Sequence, residues 1–354
     1  MTAAVLAGIG AYTPPTVVTN GDLAEVLDTS DEWISSRTGI RQRYVLTPGQ
    51  GVGDLAVEAG RRALESAEET AGAAPVVDLV LVATTTPDRP CPATAPWVAS
   101  ELGLTGVAAM DVNAVCTGFL YALATGVGQI AAGLSRGVLV IGADAFSTIL
   151  DPRDRTTRAV FGDGAGAVLL RRGEPDEPGA IGTFDLGSDG GGVDLITVRG
   201  GGSRQRSSPE PVDPSSRYFT MQGREVFMQA VLRMAESSRA VLARSGIQVS
   251  DVDRVVGHQA NTRILMALAD QLDLPADRVV SNIHRVGNTA AASIPLALAD
   301  AAVDQTIHKG HTVLLTAFGG GTTWGATALE WPDVVAVADA TRPQATVDTA
   351  EEPS

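Results

Sequence analysis

Cys116 is the residue whose type and setting most directly suggest covalent chemistry. It lies in DVNAVCTGF, between a short run typical of a strand and a long run of small apolar residues typical of a helix. Unpaired peptide N–H groups and the helix dipole at such a point favour negative charge, so we expect the thiol to ionise readily and act as a nucleophile. Position alone leaves a buried, inert cysteine open as the alternative.

Three further features could serve the same site. His258, in VVGHQANTRIL, follows a buried strand, where α/β sheets bind ligands, although a loop histidine satisfied by local hydrogen bonds would look the same. Asn288, in GNTAAAS, begins a helix and is either an amide donor or an ordinary N-cap. The FGGGTTWG stretch offers successive backbone N–H groups at residues 319–321, which suits an oxyanion hole or simply a tight turn.

Short β-branched runs alternate with longer Ala- and Leu-rich stretches, which predicts an α/β fold with mostly parallel sheets. Strands are predicted at residues 76–84, 137–142, 165–170, 254–257 and 312–316. Helices are predicted at residues 53–66, 95–101, 117–133, 224–245, 262–272 and 290–304. These elements place the candidate cysteine, histidine and asparagine at strand-to-helix junctions.

The two halves of the chain resemble each other. Residues 76–85 match 251–260, and 137–146 match 311–320, and within these matches Asp78 and Asp253, like Val138 and Val313, are 175 residues apart. A third match between the halves pairs Cys116 with Asn288, which gives an offset of 172 residues. A period this long is unsuited to a solenoid. It predicts two facing copies of one α/β unit, residues 1–172 and 173–332, whose strand-to-helix turns meet near a pseudo-twofold axis.

Two segments lie outside the repeat. Residues 199–216 are rich in Gly, Ser and Pro and are predicted to form a loop. Residues 333–354 form an acidic tail without helical periodicity, which we expect to be disordered.

Composition disfavours several classes of protein. A formal net charge of −15 argues against nucleic acid as a partner, because phosphate binding needs basic patches. No run reaches about 18 uninterrupted apolar residues, so we expect no membrane span and no membrane partner. The apolar N-terminal stretch is interpreted as a first strand. Two cysteines in 354 residues indicate a reducing compartment, and we expect a cytoplasmic protein.

Seven motifs, in a characteristic order, resemble the β-ketoacyl-acyl-carrier-protein synthase III family of the thiolase superfamily. They lie between about residues 5 and 331 and read TSDEWISSRTGIRQRY, DVNAVCTGF, FGDGAGAVLL, LGSDGGGVDLI, HQANTRI, GNTAAASIP and FGGGTTWG. The resemblance implies a thiolase-like α/β fold, with two duplicated halves packed as a five-layered αβαβα structure, and a homodimer. It also implies that Cys116, His258 and Asn288 are the catalytic residues.

The resemblance assigns further site residues. The backbone N–H groups of Cys116 and Gly320 would form the oxyanion hole. Coenzyme A, carried as a thioester substrate and not as a permanently bound cofactor, would be held by Thr29, Trp33, Arg37, Arg155 and Asn261. Trp33 and Arg155 would enclose the adenine between an aromatic face and a planar guanidinium. No metal ion is expected.

The predicted acyl pocket departs from the family pattern at Cys91. This residue lies between two prolines, where many members carry a bulky aromatic that reaches across the dimer. The resemblance places Phe227 in the same pocket. The smaller cysteine predicts a roomier pocket that takes branched or longer acyl primers, and a packed structural cysteine is the alternative.

The predicted carrier-protein surface also departs from the pattern. Arg263 keeps one of the basic residues that would dock the acidic acyl carrier protein. However, Asp270 and Gln271 stand where bases are common, and Met228 stands where a lysine is often found. We therefore expect carrier docking to be weak or specialised.

The implied activity is a decarboxylating Claisen condensation that initiates fatty acid or polyketide synthesis. An acyl-CoA primer would acylate Cys116, and malonyl-acyl carrier protein would lose CO₂ and attack the acyl-enzyme, giving a 3-oxoacyl thioester. An alternative is acyl transfer to a hydroxyl or amine acceptor, which would not need Asn288 as a second enolate donor. A papain-like peptidase also uses Cys, His and Asn, but its local signature is missing around Cys116. A non-catalytic thioester binder would lack one of these residues.

Overall fold

The computed structural model describes residues 2–337, in which two β-sheets alternate with layers of helices. The strands are β1 Ala3–Tyr12, β2 Thr16–Thr19, β3 Gln42–Val45, β4 Leu79–Ala83, β5 Ala108–Val112, β6 Gly137–Ala145, β7 Asp163–Gly173, β8 Ala180–Ile181, β9 Phe184–Ser188, β10 Ile196–Val198, β11 Phe219–Met221, β12 Arg254–Gly257, β13 Thr312–Gly319, β14 Thr323–Glu330 and β15 Ala336–Val337. The helices are α1 Asn20–Val26, α2 Asp31–Thr38, α3 Val52–Ala71, α4 Ala95–Glu101, α5 Gly118–Ala131, α6 Arg155–Arg158, α7 Ser203–Arg206, α8 Gly223–Ser245, α9 Thr262–Gln271, α10 Ile283–Val286 and α11 Ser293–Val303.

Both large sheets mix parallel and antiparallel pairs, so the expectation of mostly parallel sheets is wrong. The first sheet has the order β15-β1-β7-β6-β4-β5, with β8 paired to β1, and the second has the order β12-β13-β14-β9. Strand β4 runs parallel to β5 and β6, but β7 is antiparallel to β1 and β6, and β14 is antiparallel to β13 and β9. Only three residues connect β13 to β14, and such a short link permits only antiparallel pairing.

Five layers stack in the order helix, sheet, helix, sheet, helix, as expected. Helices α3 and α4 cover the outer face of the first sheet, α5 and α11 lie between the sheets, and α8 and α9 cover the outer face of the second sheet. Every residue of β4 is buried, because helices cover both faces of that sheet. Helix α11, SIPLALADAAV, is apolar nearly all round for the same reason: it lies in the middle layer.

Both segments outside the repeat contain regular structure. Residues 199–216 include α7 and most of a 3-10 turn, Pro214–Arg217, so the predicted loop is only partly irregular. At the C-terminal end, β15 pairs with β1 at Ile9 and Gly10, so the expected disorder is wrong for that strand. The rest of the predicted tail, from residue 338, lies outside the described residues. Strands β8 and β15 also complete the first sheet, from beyond the predicted boundary at residue 172.

The two halves repeat with a constant offset of 175 residues. This offset relates the starts of β4 and β12, of β6 and β13, and of α5 and α11. It pairs Asn288 with Asn113, and Cys116 with Ala291. The earlier pairing of Cys116 with Asn288, at an offset of 172, is therefore wrong. The nucleophile and the amide lie on corresponding turns but at different positions within them.

Candidate active site

Cys116 lies in the turn that joins β5 to α5. It is the middle residue of a 3-10 turn, Val115–Thr117, which leads directly into α5. The residue is 7% exposed and lines a narrow, largely apolar cavity. A Cβ on Gly118, the first residue of α5, would lie 3.5 Å from the Cβ of Ala291 in the corresponding turn of the second half. The two turns therefore meet at the cavity.

The thiol of Cys116 is neutral at rest. Burial and the nearby Asp144 carboxylate raise its pKa well above the usual value, while the Cys116 backbone N–H acts in the opposite direction. The expectation that this thiol ionises readily is therefore wrong for the free protein. Removing a sulfur from water penalises its anion, and a neighbouring negative charge adds to that penalty. The thiol proton must consequently leave during acyl transfer and not before it.

His258 follows β12 and is a neutral imidazole. It is 3% exposed, and burial lowers its pKa to about 3. Its Nδ1 lies 2.7 Å from the hydroxyl oxygen of Ser293, the first residue of α11. His258 lines the same cavity as Cys116. A buried neutral imidazole can donate one hydrogen bond to a developing oxyanion without carrying a charge itself.

Asn288 is held by both its backbone and its side chain. Its backbone N–H donates to the Val160 carbonyl at 2.9 Å, and its carbonyl accepts from the Gly162 N–H at 3.0 Å. Its side-chain oxygen accepts from the Ala290 N–H, two residues further on, at 2.9 Å, which is the contact of an Asx turn. This bond engages the oxygen and leaves the NH₂ group as the donor in the cavity that Asn288 lines. Thr289, and not Asn288, is the N-cap of the 3-10 turn Ala290–Ala292, so the capping interpretation is wrong, and the role of Asn288 as a donor stays a prediction.

Asp144, near the end of β6, is a buried carboxylate that links the two halves. Its Oδ1 accepts from the Thr85 N–H at 2.8 Å and the Thr86 hydroxyl at 3.0 Å. Its Oδ2 accepts from the Ala291 N–H at 3.0 Å, in the turn that follows Asn288. Burial raises the pKa of Asp144 to about 6. The carboxylate thus anchors the asparagine-bearing turn to the first sheet.

Apolar side chains form most of the cavity wall. Phe146 and Phe161 stack with ring centroids 4.4 Å apart, and Phe219 meets both edge-on at 5.0 Å. From α8, Val226 lines the cavity, whereas Phe227 is half-buried in the neighbouring core, and the assignment of Phe227 to the acyl pocket stays a prediction. Successive residues of a helix project about 100° apart, which separates the two side chains.

The glycine loop between β13 and β14 lies directly against the nucleophile. A Cβ on Gly319 would lie 2.9 Å from the Cys116 nitrogen and 3.1 Å from the Thr117 nitrogen, so glycine is required for this approach. A Cβ on Gly320 would lie 3.2 Å from Cγ2 of Val115. The two predicted oxyanion-hole residues, Cys116 and Gly320, are therefore on segments in close contact. Their shared role stays a prediction.

The predicted coenzyme A residues on α2 and α6 form one cluster. The guanidinium carbons of Arg37 and Arg155 lie 4.7 and 5.1 Å from the Trp33 ring centroid. Arg155 also donates to the Asp28 carboxylate at 3.2 Å. Among the described residues, the buried Thr29 hydroxyl has no hydrogen-bond partner. An aromatic face flanked by two guanidinium groups suits a nucleotide, and its binding stays a prediction.

Three other predicted site residues lie away from the thiol or on the surface. Asn261 caps α9, with its side-chain oxygen accepting from the Ile264 N–H at 2.9 Å. Arg263 is exposed on the first turn of that helix. Cys91 is exposed on the segment between β4 and α4 and does not line the cavity of its own chain. Its expected place in a partner's pocket stays a prediction.

Sequence reasoning missed several residues of the site. Ser293 follows three alanines in GNTAAASIP, where the sequence alone indicates only a run of small residues. Asp144 lies in the apolar stretch GVLVIGADAF, and an acidic residue within a buried strand is a signal that could have indicated a functional residue. The aromatic wall comes from three distant segments, so no local pattern could have assembled it.

Comparison with known proteins shows the same fold and motifs. Two family models match, one for 3-oxoacyl-[acyl-carrier-protein] synthase III over residues 110–190 and one for the C-terminal part of such synthases over residues 242–331. A relative from Streptomyces coelicolor, β-ketoacyl-[acyl-carrier-protein] synthase III 5, is 58% identical over 335 residues, covering 95% of this chain and 99% of the relative.

Solved structures are also similar to this chain over most of its length. The crystal structure of 3-oxoacyl-(acyl carrier protein) synthase III from Pseudomonas aeruginosa PAO1 has a TM-score of 0.87 and 52% identity, covering 94% of this chain and 99% of the other. The priming β-ketosynthase of the R1128 polyketide pathway has a TM-score of 0.85 and 34% identity, covering 94% of this chain and 97% of the other. No helix within residues 2–337 combines the length and hydropathy that a bilayer crossing needs. The chain belongs to the β-ketoacyl-[acyl-carrier-protein] synthase III family of condensing enzymes.

Proposed function

We propose that this enzyme is an acyltransferase that condenses an acyl-CoA primer with a malonyl thioester, releasing CO₂ and forming a 3-oxoacyl thioester. The observation that carries the proposal is the convergence of a thiol, a neutral imidazole and a side-chain amide on one largely apolar cavity. A nucleophile alone would serve simple acyl transfer. Two neutral donors beside it match the needs of an enolate formed by decarboxylation.

In the first half-reaction, the Cys116 sulfur attacks the thioester carbonyl of the primer. The bond from the carbonyl carbon to the coenzyme A sulfur breaks, the thiol proton of Cys116 is transferred to that sulfur, and coenzyme A leaves as a thiol. Backbone N–H groups of Cys116 and Gly320 hold the negative oxygen of the tetrahedral intermediate. The raised pKa of the Cys116 thiol fits this order, because the proton then leaves as the sulfur attacks.

In the second half-reaction, the malonyl carboxylate leaves as CO₂ and its bonding electrons form an enolate. His258 and the Asn288 NH₂ group donate hydrogen bonds to the enolate oxygen. The enolate carbon attacks the acyl-Cys116 carbonyl, forming the new carbon–carbon bond and releasing the sulfur, which regains a proton. Losing one such preorganised donor costs on the order of 10²–10³ in rate.

Primer choice is proposed to depend on two walls. The wall within the chain contains Phe146, Phe161 and Phe219, which limits the space next to the sulfur. The other wall is proposed to come from Cys91 of the partner subunit, where a small side chain leaves room for branched or longer primers. A strict preference for acetyl-CoA over such primers would contradict this assignment.

The homodimer is proposed to form through β5. This strand ends the first sheet, with β4 its one partner among the described residues. Its side chains are half-buried or exposed, and Met110 is 39% exposed. Unpaired strand edges with apolar side chains are templates for pairing with another chain.

The decisive experiment is intact mass spectrometry of the protein after exposure to a panel of acyl-CoAs. We expect one acyl group to add to the wild-type protein and none to add to Cys116→Ala. Cys91→Ala is the matched control, since Cys91 is the second of the two cysteines: this variant should still take one acyl group on Cys116, and only its preference among primers should change. Persistent acylation of Cys116→Ala would disprove the assignment of the nucleophile.

A second measurement separates condensation from transfer to a hydroxyl or amine. Labelled malonyl thioester should release CO₂ with the wild-type enzyme, and His258→Ala or Asn288→Ala should slow this release about 100-fold or more while Cys116 is still acylated. An acylated enzyme that never decarboxylates malonyl thioester would favour the transfer reaction.

A further inference from the structure

Ser293 is the residue in direct contact with the imidazole of His258. Its hydroxyl oxygen lies 2.7 Å from Nδ1, and the residue is 1% exposed. The corresponding residue of the first half, 175 positions earlier, is Gly118, which lacks a side chain. The hydroxyl is therefore a feature of the histidine-bearing half alone.

The hydrogen bonds around this hydroxyl determine which way its proton points. Among residues 2–337, the Ser293 oxygen has two partners, the Nδ1 of His258 and the backbone N–H of Gln259 at 3.4 Å. An amide N–H can only donate, so the serine oxygen accepts from Gln259. The serine proton then has Nδ1 as its acceptor.

The reverse arrangement is disfavoured by the same groups. If Nδ1 carried the proton, it would donate to the serine oxygen, and the buried hydroxyl proton of Ser293 would have no described acceptor. Buried polar groups are almost always paired. A proton on Nε2 satisfies the serine and the amide, and it leaves an N–H donor for the cavity that His258 lines.

We propose that Ser293 is a positioning residue which, by donating its hydroxyl proton to Nδ1, holds His258 in the tautomer that carries its proton on Nε2. Ser293 does not touch the substrate; it acts through His258. This inference rests on the proposed function, in which the Nε2–H group donates to the enolate oxygen. Acylation of Cys116 uses backbone donors, so Ser293 should matter for decarboxylation and little for acylation.

The tautomer can be read directly on the wild-type protein. Nitrogen-15 NMR of protein labelled at its four histidines distinguishes a protonated ring nitrogen from an unprotonated one, and the signal lost in His258→Gln identifies His258. We expect an unprotonated Nδ1 and a protonated Nε2 at pH 7. A protonated Nδ1 would overturn the proposal. The result does not depend on malonyl turnover, so its failure is distinct from that of the proposed function.

The kinetic test uses two variants of the same position. Ser293→Ala removes the hydroxyl at nearly constant volume and should lower CO₂ release about tenfold or more, with the rate of Cys116 acylation changed less than about twofold. Ser293→Thr keeps the hydroxyl and should restore most of the CO₂ release. Equal loss of both half-reactions in Ser293→Ala, or unchanged CO₂ release, would overturn the proposal.

Discussion

Val115 and Ala290 adopt the same left-handed backbone conformation, with φ of 49° and 47°, at corresponding turns of the two halves. Left-handed φ is uncommon for non-glycine residues and an outlier for a β-branched one. Such a conformation costs about 1–3 kcal/mol and persists only where the surroundings enforce it. One turn carries Cys116 and the other follows Asn288, so the strained conformation occurs twice, each time beside a candidate catalytic side chain.

Gly319→Ala should disturb the nucleophile without touching its side chain. The new methyl group would lie 2.9 Å from the Cys116 nitrogen, and backbone atoms there cannot move aside cheaply. We expect acylation of Cys116 to slow at least tenfold, by analogy with about 1 Å misplacements at active sites, and the free energy of unfolding to fall by about 1–3 kcal/mol. Acyl-CoA kinetics and urea denaturation measure the two effects.

Gly128→Ala is the matched control for that substitution. Gly128 lies within α5, and a Cβ there meets no atom within 4 Å. Alanine is the better helix former by about 1 kcal/mol, so this variant should be as active as the wild type and slightly more stable. Equal losses in both glycine variants would contradict the proposed contact.

His258 should make the protein less stable in mild acid. Its pKa is lowered to about 3 in the folded protein from an ordinary value of 6.5, so the unfolded chain binds the proton more tightly. Stability that is present above pH 6.5 is therefore lost as the pH falls from 6.5 toward 3. Between pH 7.5 and 5, the wild type should lose about 2 kcal/mol more than His258→Gln in urea unfolding.

The comparison between variant and wild type is necessary because Asp144 acts in the opposite direction. Its folded pKa is raised to about 6, so the folded protein binds that proton more tightly and gains stability as the pH falls below 6. Both proteins in the comparison keep Asp144. Identical pH profiles for the two proteins would show that His258 is not buried as a neutral group.

Trp33→Ala should weaken the binding of the nucleotide part of the primer. The guanidinium carbons of Arg37 and Arg155 lie 4.7 and 5.1 Å from the centroid of the Trp33 ring, and removing the ring deletes the stacking face. We expect KM for acyl-CoA to rise about tenfold, since stacking on an aromatic side chain contributes about 1–3 kcal/mol per base. An acyl-pantetheine thioester, which lacks the nucleotide, should react equally well with both proteins, and a matching loss there would point to general misfolding.

Carrier docking should depend on an arginine contributed by a neighbouring helix. Arg239 of α8 donates a hydrogen bond to the Gln271 carbonyl at the end of α9, close to where the family's bases are replaced. Arg239→Glu and Arg263→Glu should each raise KM for malonyl-acyl carrier protein several-fold at low salt and leave malonyl-CoA unaffected. Arg61→Glu, on the opposite outer layer, is the control. No change in any variant would place the docking surface elsewhere.

Charging the exposed edge of β5 should break the dimer. In Met110→Lys, a charge would be buried between two paired strands, so sedimentation velocity should show a shift toward monomer. Val26→Lys, at a 67% exposed position on α1, should remain a dimer. A wild-type protein that sediments as a monomer would refute the proposed interface.

The sequence by itself determined the class of fold and the three candidate catalytic residues. Periodicity and composition located the main helices and strands, because burial on one or both faces produces a pattern of apolar residues in the local sequence. The predicted helix at 95–101 and the predicted strand at 254–257 have the same bounds in the structure. Seven ordered motifs pointed to Cys116, His258 and Asn288, and the cavity contains all three. Residues adjacent in sequence were sufficient for these inferences.

Only the tertiary structure decided properties that depend on contacts between distant segments. The sequence favoured an easily ionised Cys116, but burial and Asp144 reverse that expectation, because desolvation cannot be read from neighbouring residues. Strand direction, the exact offset between the two halves and the position of Val226 on the cavity wall also required the packed layers. Ser293 is the clearest case, because its contact with the His258 imidazole exists only where α11 packs against the segment that follows β12.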